Sequence, residues 1–354
     1  MPNNISEKQV LEKLKTVLDP ELNKDLVSLN MIENVQVHGE NVEFTIVLTT
    51  PACPLKNKIQ NDARAAVMEL DGVKNVKINL SSHVPQNKEI EEKLQTTIKN
   101  IIAISSGKGG VGKSTIATNL AVALGKTGAA VGIMDADIYG PNIPTMMGVH
   151  QLPNPKNGKI MPALAHGIKI ISIGFLVKDG QPLIWRGPLL HSTIRQFLSD
   201  VDWGELDYLV VDLPPGTGDV QLSLSQQIPV TCGVIVTMPQ KVSLDDASRG
   251  IEMFIKLNIP IAGVIENMGA MVMPDGTRVD IFGEGGGEQM ASAYGLPFLG
   301  RIPLDQKIRK SGDSGTPIVI SEPNANPSQE LNRIACEVAS FISQIDFNKE
   351  KDNE

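Results

Sequence analysis

Apolar residues recur along this chain in two rhythms. Near its start Val10, Leu11, Leu14, Val17 and Leu18 fall on one helical stripe, with Ser6 placed to cap it. A helix is expected over 6–18, ended by Asp19-Pro20-Glu21. Residues 32–37 and 42–48 read as strands, joined by the turn formers His38-Gly39-Glu40-Asn41. A helix over 55–70 and a third strand over 73–80 complete a small α+β unit. Polar 81–88 and charged 89–99 read as a linker, helical in part. From Ile101 the rhythm changes to near-continuous apolar runs at 101–105, 130–134, 168–173, 208–211, 234–237, 262–265 and 298–301, separated by helix-length segments. Such runs suit parallel strands covered by helices on both faces. The expected architecture is α/β: a mostly parallel sheet preceded by a small α+β domain. Its divisions fall at 1–82, a linker over 83–98, 99–346, and a polar tail over 347–354. The tail carries no apolar residue from Asn348 on and is expected to fray.

The stretch Gly107-Lys108-Gly109-Gly110-Val111-Gly112-Lys113-Ser114-Thr115 lies between the first of these runs and the helical pattern of 116–124. A strand, a glycine-rich loop and a helix in that order give G-x-x-x-x-G-K-[ST] its meaning as a phosphate-binding loop. Glycines let successive N–H groups turn towards a phosphate, and the helix N-terminus adds partial positive charge. Lys113 is expected at the β- and γ-phosphates of ATP, and Ser114 on Mg²⁺. Parallel sheets bind ligands at the carboxyl ends of their strands. That edge is where Asp135, Asp137, Asp212 and Asn267 fall. Asp212 is expected to hold the Mg²⁺ shell, with Asp135 helping to hold its waters. Asp137 is expected to orient or deprotonate the attacking water, the alternative being that Asp135 and Asp137 simply cap the following turn. The turn Leu213-Pro214-Pro215-Gly216-Thr217-Gly218-Asp219 offers a backbone N–H, at Gly216, to the γ-phosphate.

Composition narrows the rest. With 354 residues, 41% of them hydrophobic, the chain supplies cores for two domains. A net charge of −8 leaves no basic surplus for nucleic acid. No apolar run approaches the roughly 20 residues that span a bilayer, and residues 1–12 carry no secretory pattern. A cytoplasmic location, without membrane or nucleic-acid partners, is therefore expected. Three scattered cysteines fit a reducing compartment, and the five histidines show no metal-ligand spacing.

A second lysine at the start of the loop, Lys108, is not needed by an ordinary phosphate loop. It resembles the signature-lysine form, K-G-G-x-G-K-[ST], of the MinD/ParA/nitrogenase-iron-protein superclass. The resemblance implies that Lys108 reaches the partner subunit's nucleotide in a homodimer that sandwiches two ATP molecules. Further motifs narrow it: Trp185-Arg186-Gly187-Pro188, Trp203-Gly204-Glu205-Leu206-Asp207-Tyr208, the segment 212–219 and Ile265-Glu266-Asn267-Met268. These are similar to the Mrp/ApbC family of iron–sulfur cluster carriers, over essentially everything after Lys99. The front domain, through Asp19-Pro20-Glu21 and Thr49-Thr50-Pro51-Ala52-Cys53-Pro54, resembles the SufT/MIP-like domain of iron–sulfur assembly proteins. The resemblance implies a P-loop ATPase that binds a cluster, receives it from assembly proteins and passes it to apoproteins. It also implies that Asn267 reads the adenine edge and that residues around Pro303 line the base pocket.

One departure matters. Many members carry C-x-x-C soon after the Asn-Met pair and hold a bridging [4Fe–4S] cluster with it. Here Met273 and Gly276 stand at those positions, and neither serves as a thiolate. Cys53 becomes the candidate cluster ligand, read as a loop thiolate, with a small buried hydrophobe as the alternative. Cys232 and Cys336 are expected in cores. The competing readings are a MinD/ParA-like positioning ATPase, and a metal chaperone or adaptor without a bridging cluster. An iron-protein-like reductase would need the missing thiolates.

Overall fold

A computed structural model describes residues 5–94, 96–176, 187–216, 218–273 and 275–351. The chain divides into two compact units, Met1–Pro85 with Ala339–Glu354, and Gln86–Val338.

In the first unit, helix α1 (Glu7–Leu14) opens on a capping box in which Ser6 and Gln9 satisfy each other's backbone amides. It stops short of the expected Leu18, because Leu18–Asp19 pairs antiparallel with Lys24–Asp25. The reversal is fixed by the Asp19 carboxylate, which accepts from the N–H groups of Glu21 (2.8 Å) and Leu22 (3.1 Å). Strands β1 (Ile32–His38), β2 (Asn41–Leu48) and β3 (Asn75–Ser82) form a sheet with β2 in the middle, antiparallel to β1 and parallel to β3. Helix α2 (Lys56–Met68) makes the crossover between β2 and β3. Val42, Phe44, Ile46 and Leu48 alternate onto the buried face of β2 and pack with Val10 and Leu14 of α1 and Ile59, Ala63 and Val67 of α2.

The second unit begins inside the expected linker. Helix α3 (Lys88–Leu94) buries Ile90, and strand β4 (Ile98–Ser106) starts three residues before its apolar run. An eight-stranded sheet follows from β4, β5 (Val131–Asp135), β6 (Ala163–Ala165), β7 (Ile168–Ser172), β8 (Leu206–Asp212), β9 (Cys232–Thr237), β10 (Ile261–Gly269) and β11 (Phe298–Pro303). Its order is β11-β10-β9-β4-β8-β5-β7-β6, all parallel except the short edge strand β6. The longer helices are α4 (Lys113–Lys126), α5 (Gly187–Ser199), α6 (Asp219–Gln227), α7 (Lys241–Lys256), α8 (Gly286–Ala293), α9 (Gln306–Asp313) and α10 (Asn326–Lys351). β4 is buried along almost its whole length, as a central strand covered on both faces must be. Strands accumulate outward on either side of it, which makes its carboxyl end the switch point of the topology.

Helix α10 runs unbroken through Lys351, beyond the point where fraying was expected. From Ala339 it belongs to the first unit. There Ser340 Oγ donates to Glu21 Oε1 (2.7 Å) and Lys24 lies 5.8 Å from the ring centroid of Phe347. Burial raises the Glu21 carboxyl above its ordinary value.

Candidate functional site

Strand β4 delivers Ser105 and Ser106 to the carboxyl edge of the sheet, and α4 leaves again at Lys113. Between them Gly110 (φ +81°) and Gly112 (φ +84°) adopt the left-handed conformation that glycine takes without a Cβ clash. Gly107 has no room for a side chain, since a Cβ there would lie 2.0 Å from the carbonyl carbon of Asp246 in α7. The loop is thus seated directly on the backbone of a neighbouring helix. Ser106 Oγ donates to the carbonyl of Lys108 (3.0 Å), closing its first turn. Lys108 itself is half-buried and enters no ion pair with a described residue.

Strand register builds the floor. Ile104, Asp212, Asp135 and Ser172 form one transverse row across β4, β8, β5 and β7. Asp135 and Asp212 are fully buried, and Asp137, Lys113 and Ser114 nearly so. Lys113 Nζ sits 2.5 Å from Asp212 Oδ1 and 3.6 Å from Asp137 Oδ2, while Ser114 Oγ donates to Asp212 Oδ2 (2.5 Å). Asp135 accepts from Ser172 Oγ (2.9 Å) and from the N–H groups of Asp137 (3.2 Å) and Ile143 (3.3 Å). Asp137 in turn accepts from the N–H groups of Tyr139 (3.1 Å) and Gly140 (3.3 Å). Three carboxylates here face one ammonium. The Asp212 carboxylate and the Ser114 hydroxyl bonded to it are oxygen donors of the kind a hard divalent cation takes.

The same imbalance moves the protons. Burial, and then the neighbouring Asp212, push the Asp135 carboxyl up to about 8, against the smaller pull of its hydrogen bonds and Lys113. Asp212 is also raised by burial, with Lys113 and Ser114 opposing. A carboxyl raised in the folded state contributes stability at low pH, and loses it as pH climbs from the unfolded value towards about 8. The thermal midpoint of the nucleotide-free chain should therefore fall between pH 5 and 8, by a smaller amount in Asp135→Asn. Equal slopes in thermal melts of the two proteins would contradict this assignment.

Beside the loop lies a cavity of about 300 Å³, lined by Thr115, Met146, Asn267, Met268, Pro303 and Ile308 among others. Asn267 and Pro303, expected at a base pocket, are both on its wall. Asn267 does more than line it. Its Nδ2 donates to the Val111 carbonyl (2.8 Å), so this side chain braces the phosphate loop. The Gly216 N–H, expected at a γ-phosphate, donates to the Ser106 carbonyl (3.0 Å).

Residues 97–339 match the family of ParA-type NUBPL iron-transfer P-loop NTPases, a span that contains the loop, the row of carboxylates and the cavity. The chain belongs to that family. Residues 7–80 match a second family, of iron–sulfur cluster assembly proteins. An iron–sulfur cluster carrier protein of Synechocystis is 51% identical over 342 residues, spanning 94% of this chain and 97% of that one. The chloroplastic Fe–S cluster assembly factor HCF101 of Arabidopsis thaliana is 44% identical over 96% of this chain and 65% of its own length. Among solved structures, a nucleotide-binding protein of Archaeoglobus fulgidus in complex with ADP aligns with a TM-score of 0.57 and 39% identity. It covers 64% of this chain and 90% of its own.

Two further features of this NUBPL-type chain concern the expected cluster ligands. The positions of the absent thiolates fall in a hairpin, where Met271–Val272 pairs with Arg278–Val279 and Met273 is partly exposed at the turn. Cys53 is not the exposed thiolate that the loop reading anticipated. It is 6% exposed and packs in the core of the first unit, because Thr50 Oγ1 accepts from Ala52 N–H and folds the turn inward. Among the described residues no three His, Cys, Asp or Glu side chains gather as a metal site. Cys232 is fully buried and Cys336 half-buried. Trp185, Arg186 and Thr217 lie outside the described residues.

Sequence reasoning missed two participants. Ser172 completes the row beside Asp135; its signal was a hydroxyl at the same strand end, inside a run read as continuous strand to Ile173. Glu266, fully buried next to Asn267, accepts from Gly285 N–H (3.1 Å), Gly287 N–H (2.7 Å) and Arg301 Nε (2.5 Å). It fixes the glycine-rich entry to α8 against the end of β10.

Proposed function

We propose that this chain is a cytoplasmic ATPase that carries iron–sulfur clusters to apoproteins, working as a homodimer closed over two ATP molecules. The observation that carries the reading is the buried cage of Lys113, Ser114, Asp137 and Asp212 under a glycine loop, in a chain whose front domain belongs to an iron–sulfur assembly family. Lys113 is paired with Asp212. On binding, it exchanges that carboxylate for the β- and γ-phosphates, and the loop amides take the remaining phosphate oxygens. Ser114, Asp212 and Asp135 would hold Mg²⁺, which supplies charge neutralisation at the phosphates. Asp137, oriented by two backbone amides, positions the attacking water and takes up its proton. Gly216 must give up its bond to Ser106 to donate to the γ-phosphate, so that turn is suited to sensing hydrolysis. Asn267 Oδ1 and the wall around Pro303 receive the adenine.

In this reading Lys108, half-buried and without an ion pair to a described residue, stabilises phosphate charge across the dimer. Lys108→Ala is expected to bind Mg-ATP with affinity within about threefold of wild type, yet remain monomeric by light scattering. An ATP-dependent dimer of normal turnover in that variant would contradict the sandwich. No described helix is long and apolar enough to cross a membrane. The charge balance favours protein partners over nucleic acid: assembly proteins that load the cluster and apoproteins that receive it.

The cargo half is tested by anaerobic reconstitution with iron and sulfide, followed by transfer to an apo iron–sulfur protein. Uptake of a stoichiometric cluster and its ATP-dependent transfer are expected. Loss of uptake in Cys53→Ala alone would make that thiol a ligand, which its burial allows only if the turn at 50–54 opens. The hairpin at Met273 and Gly276 favours a second reading, a metal chaperone or adaptor without a bridging cluster. A wild-type chain that takes up no cluster would establish it.

A further inference from the structure

Helix α6 starts immediately after the turn that follows Asp212, and Gln221 is its third residue. Its side chain is buried, and Nε2 lies 2.5 Å from Ser105 Oγ as donor. Ser105 is itself fully buried near the end of β4, two residues before Gly107. A Cβ at Gly250 of α7 would stand 3.6 Å from the same hydroxyl. Ser105 Oγ therefore lies between the helices that follow the two strands flanking β4. A parallel tie joins Gly216 N–H to the Ser106 carbonyl (3.0 Å).

The other end of the amide is unmatched. Gln221 Oε1 is buried without a hydrogen-bond partner among the described residues, and so is Ser225 Oγ one turn further along α6. Whichever way the amide is turned, one of its two polar ends goes unmet. An unsatisfied buried acceptor lowers stability, and an apolar residue of the same shape would not carry that penalty. Packing alone gives no reason for an amide at this position.

We propose that Gln221 is a positioning residue for nucleotide hydrolysis. Through Ser105 it ties α6, and with it the turn after Asp212, to the strand that feeds the phosphate loop. The inference rests on the ATPase reading and adds a residue outside the phosphate contacts. Gln221 bonds to Ser105 rather than to Lys113, Ser114, Asp137 or Asp212, so its loss leaves the groups that grip the nucleotide in place. What it loosens is the alignment of the turn with the loop during the chemical step.

Three variants test it: Gln221→Met, which keeps the shape, Ser105→Ala, and the two combined. Each single change is expected to lower kcat about tenfold with KM for ATP within about twofold. The double variant should be no slower than either single one, because both remove the same bond. The thermal midpoint of Gln221→Met should stay within about 2 °C of wild type, since the unmet amide oxygen is exchanged for an unmet Ser105 hydroxyl. A kcat for Gln221→Met within twofold of wild type, or losses that multiply in the double variant, would overturn the proposal. So would a lowered midpoint with a matching loss of nucleotide binding. A wild-type chain that releases no phosphate from Mg-ATP would instead overturn the ATPase reading, and this inference with it.

Discussion

Lys113→Ala is expected to reduce ATP turnover by about a thousandfold, because the variant loses the positive charge that meets the developing phosphate charge in a dry site. A second effect falls on the nucleotide-free chain. Lys113 is 5% exposed and is the cation paired with Asp212 and Asp137. Removing one partner of such a buried group costs about 3–5 kcal/mol unless the carboxyls recover protons. Asp212 already leans that way through burial, so the stability deficit of the variant should be smaller at pH 6 than at pH 8. Phosphate release and thermal melts at the two pH values measure both effects. Turnover within tenfold of wild type would contradict the role given to Lys113, and a deficit larger at pH 6 would contradict the electrostatic account.

Gly107→Ala is expected to be the most damaging single-carbon change in the loop. The added Cβ would lie 2.0 Å from the Asp246 carbonyl carbon, 2.2 Å from its oxygen and 2.3 Å from the Ala247 nitrogen. All three are backbone atoms inside α7, and no rotamer moves them. Relief requires the loop and the helix to separate, at about 3 kcal/mol or more, with loss of nucleotide binding. Gly110→Ala is the control. It has open space around it and a φ of +81°, so only left-handed strain of about 1–2 kcal/mol applies. Urea unfolding midpoints should rank wild type, Gly110→Ala, Gly107→Ala. Equal midpoints for the two variants would show that the loop is not seated on α7 as described.

The loop, the strand-end carboxylates and the alternation of strands with helices were legible because each is written in adjacent residues. Gly110 and Gly112 take the φ values that G-x-x-x-x-G-K-S requires, and Asp135 and Asp212 each end an apolar run. The row that joins them was not legible, since strand pairing between residues far apart in sequence sets its register. Ser172 therefore went unnoticed although it sits level with Asp135. Local pattern also misjudged where neighbours intervene. The helical stripe to Leu18 is cut by a two-residue strand pairing, and the polar end of the chain stays helical in company with the first unit. Cys53 shows the same limit, because Ala-Cys-Pro reads equally well as an exposed loop or as a turn folded onto a core, and the hydrogen bond from Ala52 N–H to Thr50 Oγ1 goes with the second.

The central claim is that the glycine loop and its buried lysine grip a magnesium-bound triphosphate. Calorimetric titration of the full chain with Mg-ATP tests it most directly. The expected result is one nucleotide bound per chain, with affinity at least a hundredfold weaker in Lys113→Ala (about 2.7 kcal/mol). No binding heat from wild type, or an unchanged isotherm in the variant, would contradict it.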